Sequence, residues 1–338
     1  MNSVSPFGRA EGNALCNVGF FLIESFSMMA FVSALEPLRI ANRMSGQSLY
    51  DWQVISEDGR PVMPTNGVTE VPAMYSIDNA PDFEVLFVCG AFDPLDYRSP
   101  RVFSWLNHLA RNNTCLGGVD TGSHVLARAG LLKDKRCTIH WENMQGFVSE
   151  FADLKASHEI YEYDSYRLTC AGGTAAMDMM LYFIEQQQGL ELAASVSDVL
   201  IHPNIRHGHH PQRMSVEART GVRHAGLLEC IELMEANLEQ PLTPSELSTM
   251  INVSKRQLER LFRRYLHSTP ARYYLSLRLN EAKRLLEQSS MPIIDVAISC
   301  GFNSAGHFSY RYRSYFGVSP RTARSRATRG TSEIAAAV

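Results

Sequence analysis

The chain has 338 residues, 45% of them hydrophobic and 20% charged, and a formal net charge of −3. That length exceeds the usual span of one domain, so two domains are expected, each able to bury a core. No apolar run of roughly 18 residues occurs, and the amino terminus lacks a basic stretch followed by an apolar one. Neither a membrane-spanning helix nor a secretion signal is therefore expected, and a cytoplasmic location is. The seven cysteines (Cys16, Cys89, Cys115, Cys137, Cys170, Cys230 and Cys300) are odd in number, and no Cys-x-x-Cys pair occurs. Reduced, buried thiols fit better than a disulfide or zinc framework, and no cofactor is expected.

The small net charge hides an asymmetry. Residues 1–220 hold 16 Lys+Arg against 25 Asp+Glu, whereas residues 221–338 hold 16 against 10. From residue 251 onward the balance is 15 against 5. A basic carboxyl-terminal part on an acidic chain points to a polyanion as the partner of that part alone, although a basic surface is often only a solvated one.

Taken in chain order, residues 1–14 read as disordered. Residues 15–23 are an apolar run with the character of a buried strand, and a helical pattern follows over 26–44. Residues 52–56 and 85–89 read as strands, the second ending in Gly90. A helix is predicted over 100–111, a strand over 114–119, and a helix over 121–132 with Gly130 near its end. Residues 167–170 form another strand, followed by Ala171-Gly172-Gly173 and a helix to about 188. Such alternation argues for an α/β domain over 15–201 with a mainly parallel sheet, whose ligands bind at the carboxyl ends of the strands.

Residues 202–224 break the pattern, being polar and carrying Pro, Gly and five histidines, and read as a solvated linker. His202, His207, His209 and His210 lack a cysteine or carboxylate at ligand spacing, so no metal site is assigned to them.

From 225 to 326 the pattern is helical. Thr243-Pro244-Ser245-Glu246 is a helix start, with Thr243 as cap, Pro244 at the first position and Glu246 three residues after the cap. A turn follows at Ile251-Asn252-Val253, and Ser254 with Gln257 forms a second capping box. In the helix that follows, Leu258, Leu261, Phe262 and Tyr265 make a buried stripe, and Lys255, Arg256, Gln257, Glu259, Arg260, Arg263 and Arg264 lie off it. A short helix, a tight turn and a helix with a basic outer face suit a reader of the DNA major groove; an ordinary helical hairpin is the alternative.

The pattern returns about 50 residues later. Glu246-Leu247-Ser248 corresponds to Asp295-Val296-Ala297, Leu258 to Phe308, Phe262 to Tyr312, and Ser268-Thr269-Pro270 to Val318-Ser319-Pro320. The second turn is one residue longer, through Cys300-Gly301-Phe302-Asn303. Its helix is capped by Ser304 and carries Ala305, Gly306, His307, Tyr310, Arg311 and Arg313. One connecting helix over 271–288 would hold the two readers about 34 Å apart, one turn of DNA.

On these residues, above all SKRQLERLFRRYLHSTPARYYLSLRLNEAKRLL and IIDVAISCGFNSAGHFSYRYRSYFGVSPRTAR, the segment 225–326 resembles the DNA-binding domain of the AraC/XylS family. The resemblance implies double-stranded DNA as partner, contacted by Lys255, Arg256, Gln257 and Arg260 in the first unit and Ser304, Ala305, His307 and Arg311 in the second. His267 departs from the repeat, because Gly317 occupies its place in the second copy. Residues 327–338 read as a disordered tail.

In the amino-terminal half, Gly117-Gly118-Val119-Asp120-Thr121-Gly122-Ser123 lies between a strand and a helix and has the small residues of a nucleophile elbow. With residues 126–132, Thr138-Ile139-His140-Trp141, Ala171-Gly172-Gly173-Thr174 and Met177-Asp178-Met179, it makes residues 15–201 resemble the PfpI-type domains, a class I glutamine amidotransferase-like, flavodoxin-like α/β fold, found fused to AraC-type regulators. Enzymes of that fold carry a cysteine thiolate at the elbow, whereas this chain has Asp120, a poor nucleophile for acyl transfer. Catalysis is therefore read as lost and the pocket as kept for sensing.

The expected pocket comprises Asp120, Thr121, Gly122, His140, Trp141, Phe92, Gly90 and Glu24. Backbone N–H groups at Gly122 and Ser123 would meet a carboxylate, Asp120 and Glu24 a cation, and Trp141, Phe92 and Phe21 a quaternary ammonium or guanidinium group. For each aromatic, core packing is the competing reading. Taken together, these features predict a homodimeric transcription activator that works with RNA polymerase. It would sense a small amino-acid derivative or quaternary amine such as betaine, carnitine or arginine, as the family resemblance implies. The dimer contact would fall on the helix over 174–188 or on 190–201. The alternatives are an amidase- or glyoxalase-like hydrolase fused to a DNA-binding domain, and a constitutive DNA-binding protein.

Overall fold

A computed structural model describes residues 15–90, 97–289 and 291–326 and divides the chain into two units, Met1–Gln212 and Arg213–Val338. In the first unit the elements run β1 (Cys16–Leu22), α1 (Met28–Ser45), β2 (Tyr50–Ser56), β3 (Tyr75–Ser76), β4 (Val85–Cys89), α2 (Pro100–Arg111), β5 (Cys115–Val119), α3 (Gly122–Arg128), β6 (Arg136–Thr138), α4 (Met144–Glu150), β7 (Lys155–Ser157), β8 (Tyr161–Asp164), β9 (Arg167–Cys170), α5 (Ala175–Gln188) and α6 (Leu190–Val199).

The central strands are mainly apolar because both faces of the sheet are covered. Alternate side chains serve different cores. Val18, Phe20 and Leu22 of β1, with Val85, Phe87 and Cys89 of β4, join the core shared with α1, α5 and α6. Phe21 of β1, with Leu86 and Val88 of β4, joins the core shared with α2, α3 and α4. Seven strands are ordered β3-β2-β1-β4-β5-β9-β8, all parallel neighbours except the antiparallel β8–β9 edge pair. Strand order reverses at β1, between β2 and β4. A crevice forms at the carboxyl ends of strands where an open α/β sheet switches direction in this way.

The strands at 85–89 and 167–170 and the helices over 100–111 and to 188 stand where the sequence puts them. The helix expected over 121–132 is helical only to Arg128 and continues as turns. Strands β3, β6, β7 and β8 have two to four residues each, too few to show a period.

The stretch read as a linker is not free chain. Residues 202–212 pack on the first unit: His202 and Arg206 bond Asp178, Ile160 N–H donates to the Gly208 carbonyl, and Gln212 bonds Thr138. Residues 216–220 form helix α7 (Val216–Thr220) of the second unit, which buries Val216 and Val222 in its core.

The second unit continues with α8 (Ala225–Ala236), α9 (Pro244–Met250), α10 (Lys255–Leu266), α11 (Pro270–Gln288), α12 (Ile293–Ser299), α13 (Ala305–Phe316) and a helical stretch over 320–326. Each helix-turn-helix has its own core. Leu247, Leu258 and Phe262 belong to the first, and Val296, Phe308 and Tyr312 to the second. Thr243 and Glu246 form the reciprocal capping box. At α10 only half of the expected box forms, with Ser254 accepting from the Gln257 N–H. Tyr265 is 38% exposed rather than buried, and Leu261 with the half-buried Leu266 completes the stripe. His267 closes α10 at φ 49°, as Gly317 closes α13 at φ 77°. The histidine thus accepts the left-handed position that favours glycine.

Candidate functional site

Asp120 follows β5 and carries φ of 60°, a left-handed conformation that few residues adopt and Asp tolerates better than most. Its backbone N–H donates to the Cys170 carbonyl at the end of β9. Its side chain packs against the next turn, where a Cβ on Gly172 would lie 2.7 Å from the carboxyl group. Burial, and then the nearby Glu142 carboxylate, push the Asp120 carboxyl up to about 7, against hydrogen bonds from the Thr121 backbone and the Ser27 side chain. A buried acid with a raised pKa at a strained elbow marks this turn as a candidate functional site.

The other expected residues fall into place unevenly. Gly90 ends β4 directly opposite the elbow: a Cβ there would lie 2.2 Å from the Gly122 nitrogen. A Cβ on Gly122 would lie 1.9 Å from the Val88 carbonyl oxygen. Both glycines thus let α3 seat against the end of β4. Thr121 is buried, and the Ser123 hydroxyl donates to the Thr138 carbonyl at 2.6 Å. His140 and Trp141 are half-buried, with ring centroids 5.7 Å apart, on the loop that also carries Glu142. His140 Nδ1 lies 3.7 Å from Glu142 Oε2.

Glu24 is exposed at the end of β1. Its carboxyl is pushed up by burial and by Glu70, and the Met63 backbone donates to it. The acidic neighbour that raises Asp120 is Glu142, not Glu24. Phe21 is fully buried against Trp105 and leaves the candidate set, while Phe92 lies outside the described residues. Sequence reading missed Ser27 and Glu142. Ser27 is the N-cap of α1, and only the fold brings α1's start to β5's end.

In the second unit, Ser254 caps α10 and the helix presents Lys255, Arg256, Gln257, Arg260, Arg263 and Arg264 to solvent. Ser254, Arg256, Gln257, Glu259, Arg260 and Arg263 line one concavity on this helix. Ser304 caps α13 in the same way, and Ser304, His307 and Arg311 are exposed, with Ala305 half-buried. Arg311 Nε donates to His307 Nε2 at 3.2 Å, so the two side chains are presented as a pair. Arg278 of α11 fixes the longer turn. Its guanidinium donates to the Cys300 and Gly301 carbonyls and lies 4.3 Å from the Phe302 ring centroid. The sequence gives no separate signal for this role, since Arg278 lies mid-helix and its partners come from another element.

Known proteins carry the same two parts. Residues 17–186 match the DJ-1/PfpI family and residues 247–326 match a helix-turn-helix domain. The HTH-type transcriptional regulator GbdR of Pseudomonas aeruginosa strain UCBPP-PA14 is 44% identical over 324 residues, covering 96% of this chain and 88% of its own. The HTH-type transcriptional regulator CdhR of Pseudomonas aeruginosa strain PAO1 is 44% identical over 301 residues, 89% of each chain. A crystal structure of an AraC family transcriptional regulator from Pseudomonas putida is 30% identical with a TM-score of 0.51, covering 55% of this chain and 99% of its own. Among the described residues no helix is long and apolar enough to cross a membrane. With these two domains and relatives over most of its length that are regulators, the chain belongs to the AraC-type DNA-binding transcriptional regulators with a DJ-1/PfpI-family domain.

Proposed function

We propose that this regulator is a transcription activator whose Asp120 crevice binds a small zwitterion or cation of the quaternary-amine or amino-acid class. The observation that carries the reading is Asp120 itself. Its carboxyl is held near neutrality at a strained elbow, beside a second carboxylate, at the carboxyl ends of the central strands. A cation in the crevice would relieve the repulsion from Glu142 and favour the ionised acid. The loop bearing His140 and Trp141 supplies an aromatic face suited to an ammonium group. Thr121, Gly122 and Gly90 shape the floor, and Glu24 stands at the rim.

In the same reading, Lys255, Arg256, Gln257 and Arg260 of α10 contact one major-groove segment. Ser304, Ala305, His307 and Arg311 of α13 contact the next. The protein works in the cytoplasm as a homodimer with RNA polymerase. Most of α5 is buried against α1 and the sheet, so the dimer contact falls instead on exposed apolar residues such as Leu190 of α6, 64% exposed. The test is a thermal-shift screen of the full chain against glycine betaine, carnitine, choline and arginine. A concentration-dependent rise in Tm with one class is expected. No rise with any of the four would remove this ligand class.

A further inference from the structure

Residues 202–212 return across the first unit and end where the second begins. Their anchor is Asp178, a fully buried carboxylate on α5. Arg206 donates to its Oδ2 through Nε at 2.9 Å and Nη2 at 2.5 Å, and the Arg206 backbone N–H donates to Oδ1 at 2.8 Å. His202 Nε2 lies 2.8 Å from the same Oδ1. A buried carboxylate held by a charged fork and two further donors is a strong anchor, and removing one partner leaves a costly unpaired charge.

The anchored segment also touches the surroundings of Asp120. Arg206 Nη2 donates to Thr174 Oγ1 at 2.7 Å, and Thr174 follows the Gly172-Gly173 turn against which the Asp120 carboxyl packs. Further along, Gly208 accepts from the Ile160 N–H, and the Ile160 carbonyl accepts from Ala171, the residue before that turn. A Cβ on Gly208 would lie 2.8 Å from the Tyr161 carbonyl oxygen, so the segment lies flush on the strand. At its end, Gln212 Nε2 lies 3.0 Å from the Ile139 carbonyl, next to His140. Only residues 213–215 separate Gln212 from Val216, which is already in the core of the second unit.

We propose that residues 202–212 form a strap that couples the Asp120 crevice to the DNA-binding unit, with Arg206 as its bolt. The inference rests on the reading of the Asp120 crevice as the effector site. Whatever shifts the Gly172-Gly173 turn or the 139–142 loop changes how the strap is seated. The short connection passes that change to the second unit. A ligand biases the two seatings only through its differential contact with that turn and loop.

The test uses the full chain, a fluorescent duplex selected from a random library with the wild-type protein, and glycine betaine as probe. Hydrogen exchange of amides 202–212 is compared in wild type and Asp120→Ala without any ligand. Exchange at 204–208 is expected to rise at least fivefold in Asp120→Ala. Exchange within twofold of wild type would overturn the coupling, whatever ligand the crevice takes. In the presence of glycine betaine, Arg206→Ala is expected to keep the betaine Kd within threefold while reducing the betaine-dependent change in duplex affinity below twofold. A full betaine response in Arg206→Ala would also overturn it. The double variant Asp178→Asn/Arg206→Ala removes the unpaired charge and gives the same readout should Arg206→Ala fail to fold. If betaine binds none of the chains, the ligand-class reading fails and the exchange comparison alone decides the strap.

Discussion

Replacing Asp120 with Asn removes an acid while keeping a residue that tolerates the left-handed elbow. The carboxyl rises from 3.8 to about 7 on folding. About three units at about 1.36 kcal/mol each set a ceiling of roughly 4 kcal/mol on the cost of ionising it in the folded chain. Relaxation and partial solvent contact reduce this, and about 2 kcal/mol is expected. Because the folded-state pKa is the higher one, the protonated acid's contribution is fully present below about pH 4. It is lost as pH rises through about 7 and stays lost above that.

Asp120→Asn should therefore match wild type near pH 4 and be about 2 kcal/mol more stable at pH 8.5. Glu142→Gln should move the window toward lower pH by removing the second carboxylate. The assay is urea unfolding of the full chain followed by tryptophan fluorescence. It reports the first unit alone, because all three tryptophans, Trp52, Trp105 and Trp141, lie there. An equal difference between variant and wild type at both pH values would refute the assignment of this cost to the Asp120 carboxyl.

Arg256→Ala or Arg260→Ala should weaken binding to the selected duplex by about 1–3 kcal/mol and relax the preference at one base pair, read by fluorescence anisotropy. Unchanged affinity and preference in both would count against α10 as the reader. Gly122→Ala forces a Cβ to 1.9 Å from the Val88 carbonyl oxygen and should lower the first unit's stability by about 3 kcal/mol in the same urea assay. All seven cysteines are buried, and burial pushes Cys16 up to about 11 and Cys300 up to about 12. The native chain should therefore react slowly with a thiol reagent at pH 8 and all seven thiols rapidly in urea.

The long elements were legible because their periods are long. Helix α10 alternates Leu258, Leu261 and Phe262 with seven exposed polar residues, and β4 is five apolar residues closed by a glycine. The repeat made the second helix-turn-helix legible too, since Val296, Phe308 and Tyr312 fill the positions of Leu247, Leu258 and Phe262. What stayed hidden depends on contacts far apart in the chain. Histidines in a polar stretch look solvated until His202 and Arg206 meet Asp178, 24 and 28 residues away. Phe21 looked like a pocket wall because strand alternation alone does not reveal which face a helix covers. Here α2 covers it through Trp105. Glu142 was missed because its effect on Asp120 is exerted through space, from a residue 22 positions along the chain.

The costs at Asp120 argue against a purely structural role. A left-handed non-glycine residue is a strained one, and a buried acid beside another carboxylate raises the free energy of its charged form. A purely structural elbow would be served by glycine, which adopts the same φ without either cost. Asp178, on α5 of the same unit, shows how this fold treats a carboxylate it needs for packing: full burial with an arginine fork and two further donors. Beyond burial itself, the groups that shift Asp120 are Glu142, which raises it, and the Thr121 backbone and Ser27 side chain, whose hydrogen bonds lower it. One carboxylate is held by an arginine and a histidine of the chain and the other faces a second carboxylate, and this contrast supports the proposal that Asp120 meets a cationic ligand.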